Sequence, residues 1–171
     1  DGQQRVLTSS IFMSVLRNVA HEIGQKKYAD LLQRQCIAFE DEEGEWIFRI
    51  KPGETTATFF EEIIQTPFRD VLSTKPKTRE EKRIKTNYEY LYRKVIATLE
   101  LKDTAEKKIN ALKDLRKKLG ELVVIDIEIY NEEIAYEIFE TVNARGVELS
   151  VSDLLKNLIF SKIKDSKGRV E

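Results

Sequence analysis

The sequence predicts a helix-dominated α+β fold, in which a helical bundle carries a small antiparallel β-hairpin and one additional strand. Three observations favour this fold class. Apolar residues recur at helical spacing in several long stretches, an alternating segment around Trp46 adjoins a turn-forming Asp41–Gly44 sequence, and a β-branched run covers Leu122–Ile129. Apolar residues make up 41% of the 171 residues and charged residues 35%, which is typical of a folded globular domain. We therefore expect residues 1–171 to form a single domain.

The first predicted helix lies within residues 1–24. Its apolar residues recur with a helical period and are Val6, Leu7, Ile11, Val15, Leu16 and Val19. Gly24 suits the end of this helix, because glycine tolerates the positive φ of a helix C-terminus. A short second helix is predicted at Lys26–Gln33.

A β-hairpin is predicted within residues 33–52. Its strands are expected at Gln35–Phe39 and Glu45–Lys51, because apolar and polar residues alternate in the second of these segments. After the hairpin, Thr58 and Glu61 have the spacing of a capping box, in which each residue bonds the backbone of the other. We expect a short helix to begin there.

Two further helices are predicted within residues 78–120. Thr78 and Glu81 have the capping-box spacing for the first, and Asp103 and Glu106 have it for the second. Both helices have one apolar face and one face rich in Lys and Arg. We therefore expect an antiparallel pair with its basic residues on the outside.

Charge is distributed unevenly along the chain. The net charge is −1, but residues 75–118 carry 15 Lys or Arg and 7 Asp or Glu. Such a segment can face nucleic-acid phosphates or be a solvated helix surface, and both interpretations stay open. One histidine, His21, and one cysteine, Cys36, are too few for a zinc site, and a single cysteine fits a reducing cytoplasm. Apolar runs are too short to span a membrane, so we expect a cytoplasmic protein without a membrane partner.

Residues 121–164 combine a strand with two helices. The strand is predicted at 121–130, where Asp126 and Glu128 project from the same side and could share a divalent cation. The usual role of two such acids is simply to form the solvated face of the strand. No metal ligand is therefore assigned.

A tight corner between two helices is predicted near Gly146. The preceding helix ends near Asn143, and Ser150 with Asp153 can cap the following one. Polar residues crowd this corner, and they are Asn143, Arg145, Asp153, Lys156 and Asn157. A purely structural interpretation, in which these residues cap and solvate the helices, stays open.

Two motifs resemble one known family. The run from Phe139 to Lys156 contains Asn-x-Arg-Gly followed by Leu-Ser-x-x-Asp-Leu-x-Lys, and the chain opens with Asp1-Gly2-Gln3-Gln4-Arg5. Both resemble the signatures of the DGQQR-motif domain, a domain of unknown function that forms the GmrS-like half of GmrSD-type, modification-dependent restriction systems. The resemblance implies a nucleotide-binding and nucleotide-hydrolysing regulatory domain, with DNA cleavage in a separate HNH-type nuclease domain.

The first motif lies where a helix begins, and a helix N-terminus offers unpaired N–H groups and partial positive charge to a phosphate. Asp1 and Arg5 are the candidate catalytic residues. The candidate nucleotide-binding residues are Gly2, Gln3, Gln4, Arg5, Thr8, Asn143, Arg145, Asp153 and Lys156. The cofactor is expected to be a nucleoside triphosphate, which can be GTP, ATP or CTP. A requirement for Mg²⁺ is left open. If the two motifs share one phosphate site, they must meet in space.

An alternative from another class is a non-catalytic helical module that binds DNA or a protein through its basic helices. The sequence contains no P-loop and no nuclease motif, so we expect no nuclease activity from this chain. In the resembled family a ParB/sulfiredoxin-like part precedes the DGQQR motif, and we expect that part to be truncated here. Apolar residues such as Val6 and Ile11 should then be incompletely covered. A homodimer is left open.

Overall fold

The computed structural model describes residues 2–123, except for the side chains of residues 54 and 55. Five α-helices are described, namely α1 (Gly2–Glu22), α2 (Lys26–Leu32), α3 (Glu54–Phe59), α4 (Arg79–Glu100) and α5 (Ala105–Gly120). Two strands, β1 (Ala38–Glu40) and β2 (Trp46–Phe48), pair antiparallel. The predicted α+β, helix-dominated fold class is thus confirmed. The additional strand predicted at 121–130 and both helices around Gly146 fall outside the described residues.

The core forms around α1, which packs against α2, α4 and α5. Its fully buried face includes Val15, Leu16 and Val19, as the helical spacing predicts. The expected incomplete cover of the first helix is confirmed for Val6, which is 51% exposed, and is wrong for Ile11, which is 2% exposed. Ile11 belongs to the core because it lies about one and a half turns further along the helix, where the neighbouring helices cover it.

The end of α1 is defined by its backbone hydrogen bonds. Gly24 N–H donates to the His21 carbonyl (3.0 Å), and Gln25 N–H donates to the Ala20 carbonyl (2.8 Å). This pair of bonds is the Schellman motif, in which the first of the two donor residues has a left-handed conformation. Gly24 has φ +80° and meets that requirement.

Two α-helices continue as π-helical segments, Gln33–Ile37 after α2 and Phe60–Gln65 after α3. The first replaces most of the strand predicted at Gln35–Phe39, so that prediction is wrong for its first three residues. The reason is tertiary: continuing the helix buries both Gln33 (2% exposed) and Ile37 (1% exposed) on the interior side. The short helix predicted at Lys26–Gln33 is confirmed.

The hairpin is shorter than predicted but forms in the predicted place. Phe39 pairs with Ile47, and the Asp41 carboxylate accepts hydrogen bonds from the N–H groups of Glu43 (3.1 Å) and Glu45 (2.8 Å). Gly44 completes the turn with φ +85°. The turn therefore forms from the Asp41–Gly44 segment that predicted it.

Of the three predicted capping boxes, that of Thr78 and Glu81 is confirmed, with both reciprocal bonds present at the start of α4. Thr58 is not a cap, because α3 begins earlier, after Gly53, and Thr58 lies within it. The cap of α5 is Thr104 rather than Asp103, since the Thr104 hydroxyl accepts from Lys107 N–H (3.2 Å). Thr104 lies one residue nearer to α5 than Asp103, so its hydroxyl reaches the unpaired N–H group of the first helical turn.

Candidate functional site

The DGQQR residues that the structure describes form the first turn of α1. Gly2, Gln3, Gln4 and Arg5 are all exposed and helical, and Thr8 is half-buried one turn later. The motif therefore lies at a helix N-terminus, as predicted, although within the helix rather than in a loop before it. Asp1, the other candidate catalytic residue, lies outside the described residues.

A groove of about 580 Å³ runs along this end of α1. Gln4, Arg5 and Thr8 line it together with Ser9, so three of the predicted nucleotide-binding residues share one cavity. The rest of its lining is apolar. It consists of Phe12 from α1, Leu91 from α4, Leu119 from α5, and Leu122, which follows α5. We call this cavity the motif groove.

The polar edge of the motif groove carries an available cation. No acidic side chain among residues 2–123 forms an ion pair with the Arg5 guanidinium. The Ser9 hydroxyl donates to the Arg5 carbonyl (2.9 Å), which fixes that hydroxyl against the helix. The first N–H groups of α1 add the positive end of a helix dipole. This edge is thus suited to an anion.

A second, smaller cavity of about 220 Å³ lies at the opposite end of α1. Its lining includes four aromatic rings, which belong to His21, Phe68, Tyr88 and Tyr92. The His21 and Phe68 rings stack with centroids 4.2 Å apart, and the tyrosine rings lie 6.2 Å apart. We call this cavity the aromatic cleft.

Hydroxyl groups of the aromatic cleft are held in their neutral form. Burial raises the pKa of Tyr88 to about 12 and is also the main cause that raises the pKa of Tyr92 to about 12. The Tyr92 hydroxyl donates to the Glu22 carboxylate (2.8 Å), and the Tyr88 oxygen accepts from the Asn18 amide (2.8 Å). Both tyrosines are therefore hydrogen-bond donors at neutral pH.

The basic surface of α4 and α5 is mostly solvated. A shallow cavity of about 380 Å³ on it is lined by Lys102, Lys107 and Lys118 together with Asp114. Lys107 already pairs with Asp103 (2.8 Å). Exposed pairs of this kind contribute little to stability, and they leave the surface positive.

A family model described as the GmrSD restriction endonuclease, N-terminal domain, matches residues 1–160. The chain belongs to this family. It is therefore part of a restriction-system protein. No curated protein sequence and no solved structure gives a significant match to it.

The second motif of this GmrSD N-terminal domain lies beyond residues 2–123, the part of the chain that the structure describes. The candidate residues Asn143, Arg145, Asp153 and Lys156 lie outside the described residues, so whether they meet Arg5 stays a prediction. Within residues 2–123, no cluster of His, Cys, Asp or Glu could hold a metal ion. In the same range, no helix is long and apolar enough to cross a membrane.

The GmrSD N-terminal domain also contains a buried cation that sequence reasoning missed. Arg17 is 0% exposed, and its guanidinium donates to the carbonyls of Ile64 (3.0 Å) and Gln65 (2.9 Å) at the end of the second π-helical segment. It also donates to the side-chain oxygens of Asn18 (2.9 Å) and Gln33. These bonds satisfy carbonyls that a helix end would otherwise leave unpaired. The role of Arg17 is thus to join helices within the core.

Burial lowers the pKa of Arg17 to about 10, so the guanidinium is still protonated at neutral pH. No acidic residue among its hydrogen-bond partners balances that charge, and the partners are amides and carbonyls. A signal was present in the sequence, since Arg17 lies between Leu16 and Val19 on the apolar stripe of the first helix. A charged residue on an apolar face is either buried with that face or marks its solvent-exposed edge. The spacing of residues alone does not distinguish these two cases.

Proposed function

We propose that this chain is the nucleotide-binding and nucleotide-hydrolysing regulatory domain of a GmrSD-like restriction protein, in which a separate HNH-type domain cleaves DNA. The observation that carries the proposal is the motif groove, which brings Gln4, Arg5 and Thr8 together beside an apolar floor. Membership of the restriction family supports a role with DNA.

The polar edge is the proposed phosphate site. Arg5 offers a planar fork of donors that matches phosphate oxygens, and the N–H groups of the first turn add further donors. Gly2 has open space where a side chain would begin, so a ligand can approach the backbone closely. Gln3 and Gln4 add amide donors at the same turn. The triphosphate is proposed to lie across this edge.

The apolar floor is the proposed site of the base and sugar. Phe12 and the three leucines offer surface that a planar base can cover, and base burial is favourable because it removes apolar area from water. The groove volume of about 580 Å³ falls within the roughly 300–1,000 Å³ that is typical of small-molecule sites. A nucleotide fits this combination of charged edge and apolar floor.

Asp1 and Arg5 are the proposed catalytic residues, with Arg5 balancing the charge that develops on the transferred phosphoryl group. Asn143, Arg145, Asp153 and Lys156 are proposed to complete the site. A Mg²⁺ ion that entered with the nucleotide would reduce the negative charge on the phosphates beside Arg5.

The test is a titration of the purified chain with labelled GTP, ATP and CTP, with and without Mg²⁺. Arg5→Ala should weaken binding of the preferred nucleotide at least about tenfold, which is the order of one charge-assisted hydrogen bond. Arg93→Ala is the matched control, because Arg93 is exposed on α4 and bonds its own helix at the Glu89 carbonyl (3.3 Å). Far-ultraviolet circular dichroism checks that both variants stay folded. Unchanged binding in Arg5→Ala, or an equal loss in Arg93→Ala, refutes a nucleotide site at the motif.

The alternative function is a non-catalytic module that binds DNA or a protein through α4 and α5. The observation that favours it is the excess of Lys and Arg over residues 75–118, most of which are exposed. Contacts to the phosphate backbone release counterions, so DNA binding of this type should weaken steeply with salt and ignore nucleotide. Nucleotide binding at the motif groove should saturate and depend on Arg5. Measuring both affinities at two salt concentrations separates the functions.

A further inference from the structure

We propose that the aromatic cleft is a second binding site, which takes a single unstacked nucleobase that bears an exocyclic amine, such as cytosine or adenine. The cleft is distinct from the motif groove. Thr8 and His21 are thirteen residues apart on α1, which places them roughly 20 Å apart along the helix axis. This inference does not rest on the nucleotide proposed for the motif groove.

The size and walls of the cleft suit one planar ring. Its volume of about 220 Å³ lies below the roughly 300–1,000 Å³ of ordinary small-molecule sites, so a nucleoside triphosphate is too large for it. Four of its lining side chains are aromatic, in the two pairs described above. Aromatic side chains stack on bases and hold them without regard to the phosphate backbone.

The polar groups of the cleft favour an amine over a phosphate. Glu22 and Asp70 contribute two carboxylates to the lining, against one guanidinium from Arg69. Carboxylates repel phosphate but accept hydrogen bonds from the exocyclic amines of bases. The Tyr88 oxygen accepts from Asn18, which leaves its own proton free to be donated to a ring nitrogen or carbonyl. Thymine has a carbonyl oxygen where cytosine has its exocyclic amine, and an acceptor at that position is unfavourable beside the Glu22 carboxylate.

The backbone at the cleft is strained. Phe68 has φ +58°, in the left-handed region that residues other than glycine rarely adopt. In that conformation the ring stacks on His21, although Phe68 as a residue is 44% exposed. Strain of this kind persists where the surrounding structure fixes it, and it clusters at ligand sites. It is a second observation, independent of the lining, that points to the same cleft.

The histidine provides a direct measurement. His21 is the only histidine of the chain, so in tag-free protein its imidazole C–H signals are assigned in a one-dimensional proton spectrum. A base stacked in the cleft should shift these signals through its ring current. Titration with deoxycytidine and deoxyadenosine should move them saturably, and thymidine should need an at least about tenfold higher concentration.

The variants test the carboxylate. Glu22→Gln keeps an oxygen that can accept from Tyr92 but loses the charge, so it should reduce the preference for deoxycytidine over thymidine about tenfold. Glu106→Gln makes the same chemical change on an exposed residue of α5 and should have no effect. Arg5→Ala, at the motif groove, should also have none. Loss of deoxycytidine binding in Arg5→Ala with Glu22→Gln unaffected would place the base in the motif groove and overturn the proposal.

Two sources can supply such a base, a DNA strand or a free nucleoside, and single-stranded oligonucleotides separate them. If cytosine-containing oligonucleotides compete with deoxycytidine at His21 and thymine-only ones do not, the source is DNA. If deoxycytidine binds and no oligonucleotide competes with it, the result supports the binding site and identifies a free nucleoside as its ligand. The proposal is overturned if the His21 signals do not shift on titration, or if thymidine shifts them at the same concentration as deoxycytidine.

Discussion

Replacing Arg17 should destabilise the fold strongly although the residue lies in neither cavity. Its guanidinium makes four hydrogen bonds inside the protein, and the side chain is 0% exposed. Arg17→Met keeps a long, unbranched side chain, so the main loss is the set of hydrogen bonds. At a net value of about 1 kcal/mol per bond, the expected loss in the free energy of unfolding is about 4 kcal/mol. This is a large share of the roughly 5–15 kcal/mol that stabilises a typical domain.

The assay is urea and thermal unfolding followed by far-ultraviolet circular dichroism. In a chain of this size a loss of about 4 kcal/mol lowers the melting temperature by roughly 8–16 °C. Arg93→Met is the matched control, since Arg93 is exposed on α4, and it should change the free energy of unfolding by less than about 0.5 kcal/mol. A loss below about 1 kcal/mol in Arg17→Met would refute the structural role assigned to this residue.

A second substitution at the same position separates charge from geometry. Arg17→Lys retains a cation, but a single ammonium group cannot reproduce the planar fork that reaches Gln33 on one side and the two carbonyls on the other. We expect it to recover at most about half of the stability lost in Arg17→Met. Full recovery would mean that a positive charge alone, rather than the fork, holds these helix ends.

Three further predictions concern local features. Thr78→Ala removes the confirmed capping box of α4 and should cost about 1 kcal/mol in urea unfolding, whereas Thr58→Ala, within α3, should not show a capping loss. Gly24→Ala should cost roughly 1–2 kcal/mol by the same measurement, because alanine is strained at φ +80°. In a near-ultraviolet absorbance titration, Tyr88 and Tyr92 should ionise near pH 12 rather than the usual 10.0, because burial raises the pKa of both. Since the folded-state pKa values of both tyrosines are raised, their contribution to stability is complete below pH 10.0 and falls as the pH rises towards 12. The Tyr88→Phe variant should lose one of the two late-titrating groups, and an unchanged titration would contradict the assignment.

The elements that the sequence predicted well are those decided by local chemistry. The Thr78 capping box and the glycine at the end of α1 depend on neighbours within a few residues, so their spacing is sufficient evidence. The strand expected at Gln35–Phe39 depended instead on which side of the segment would be buried. Gln33 and Ile37 face the core only because the rest of the domain lies there. Periodicity over five residues does not contain that information.

The candidate site divides in the same way. The motif identified Gln4, Arg5 and Thr8 as neighbours, since residues at helical spacing share a face of α1. Leu91 and Leu119 lie in the two helices for which the sequence predicts an apolar face. The groove between those helices follows from packing, which the sequence pattern does not specify. The aromatic cleft was missed for the same reason, because 47 positions separate His21 from the Phe68 ring that stacks on it.

The position of Arg17 has a consequence for how the domain can be divided. A polypeptide that begins after Gly24 retains the Ile64 and Gln65 carbonyls at the end of the second π-helical segment but lacks the guanidinium that donates to them. Residues 2–24 alone form a lone helix whose apolar face has nothing to cover it. The two pieces should therefore be insoluble or unfolded separately and should reconstitute when expressed together. A split at Gly24 would thus make assembly of the fold depend on the segment that carries the DGQQR residues.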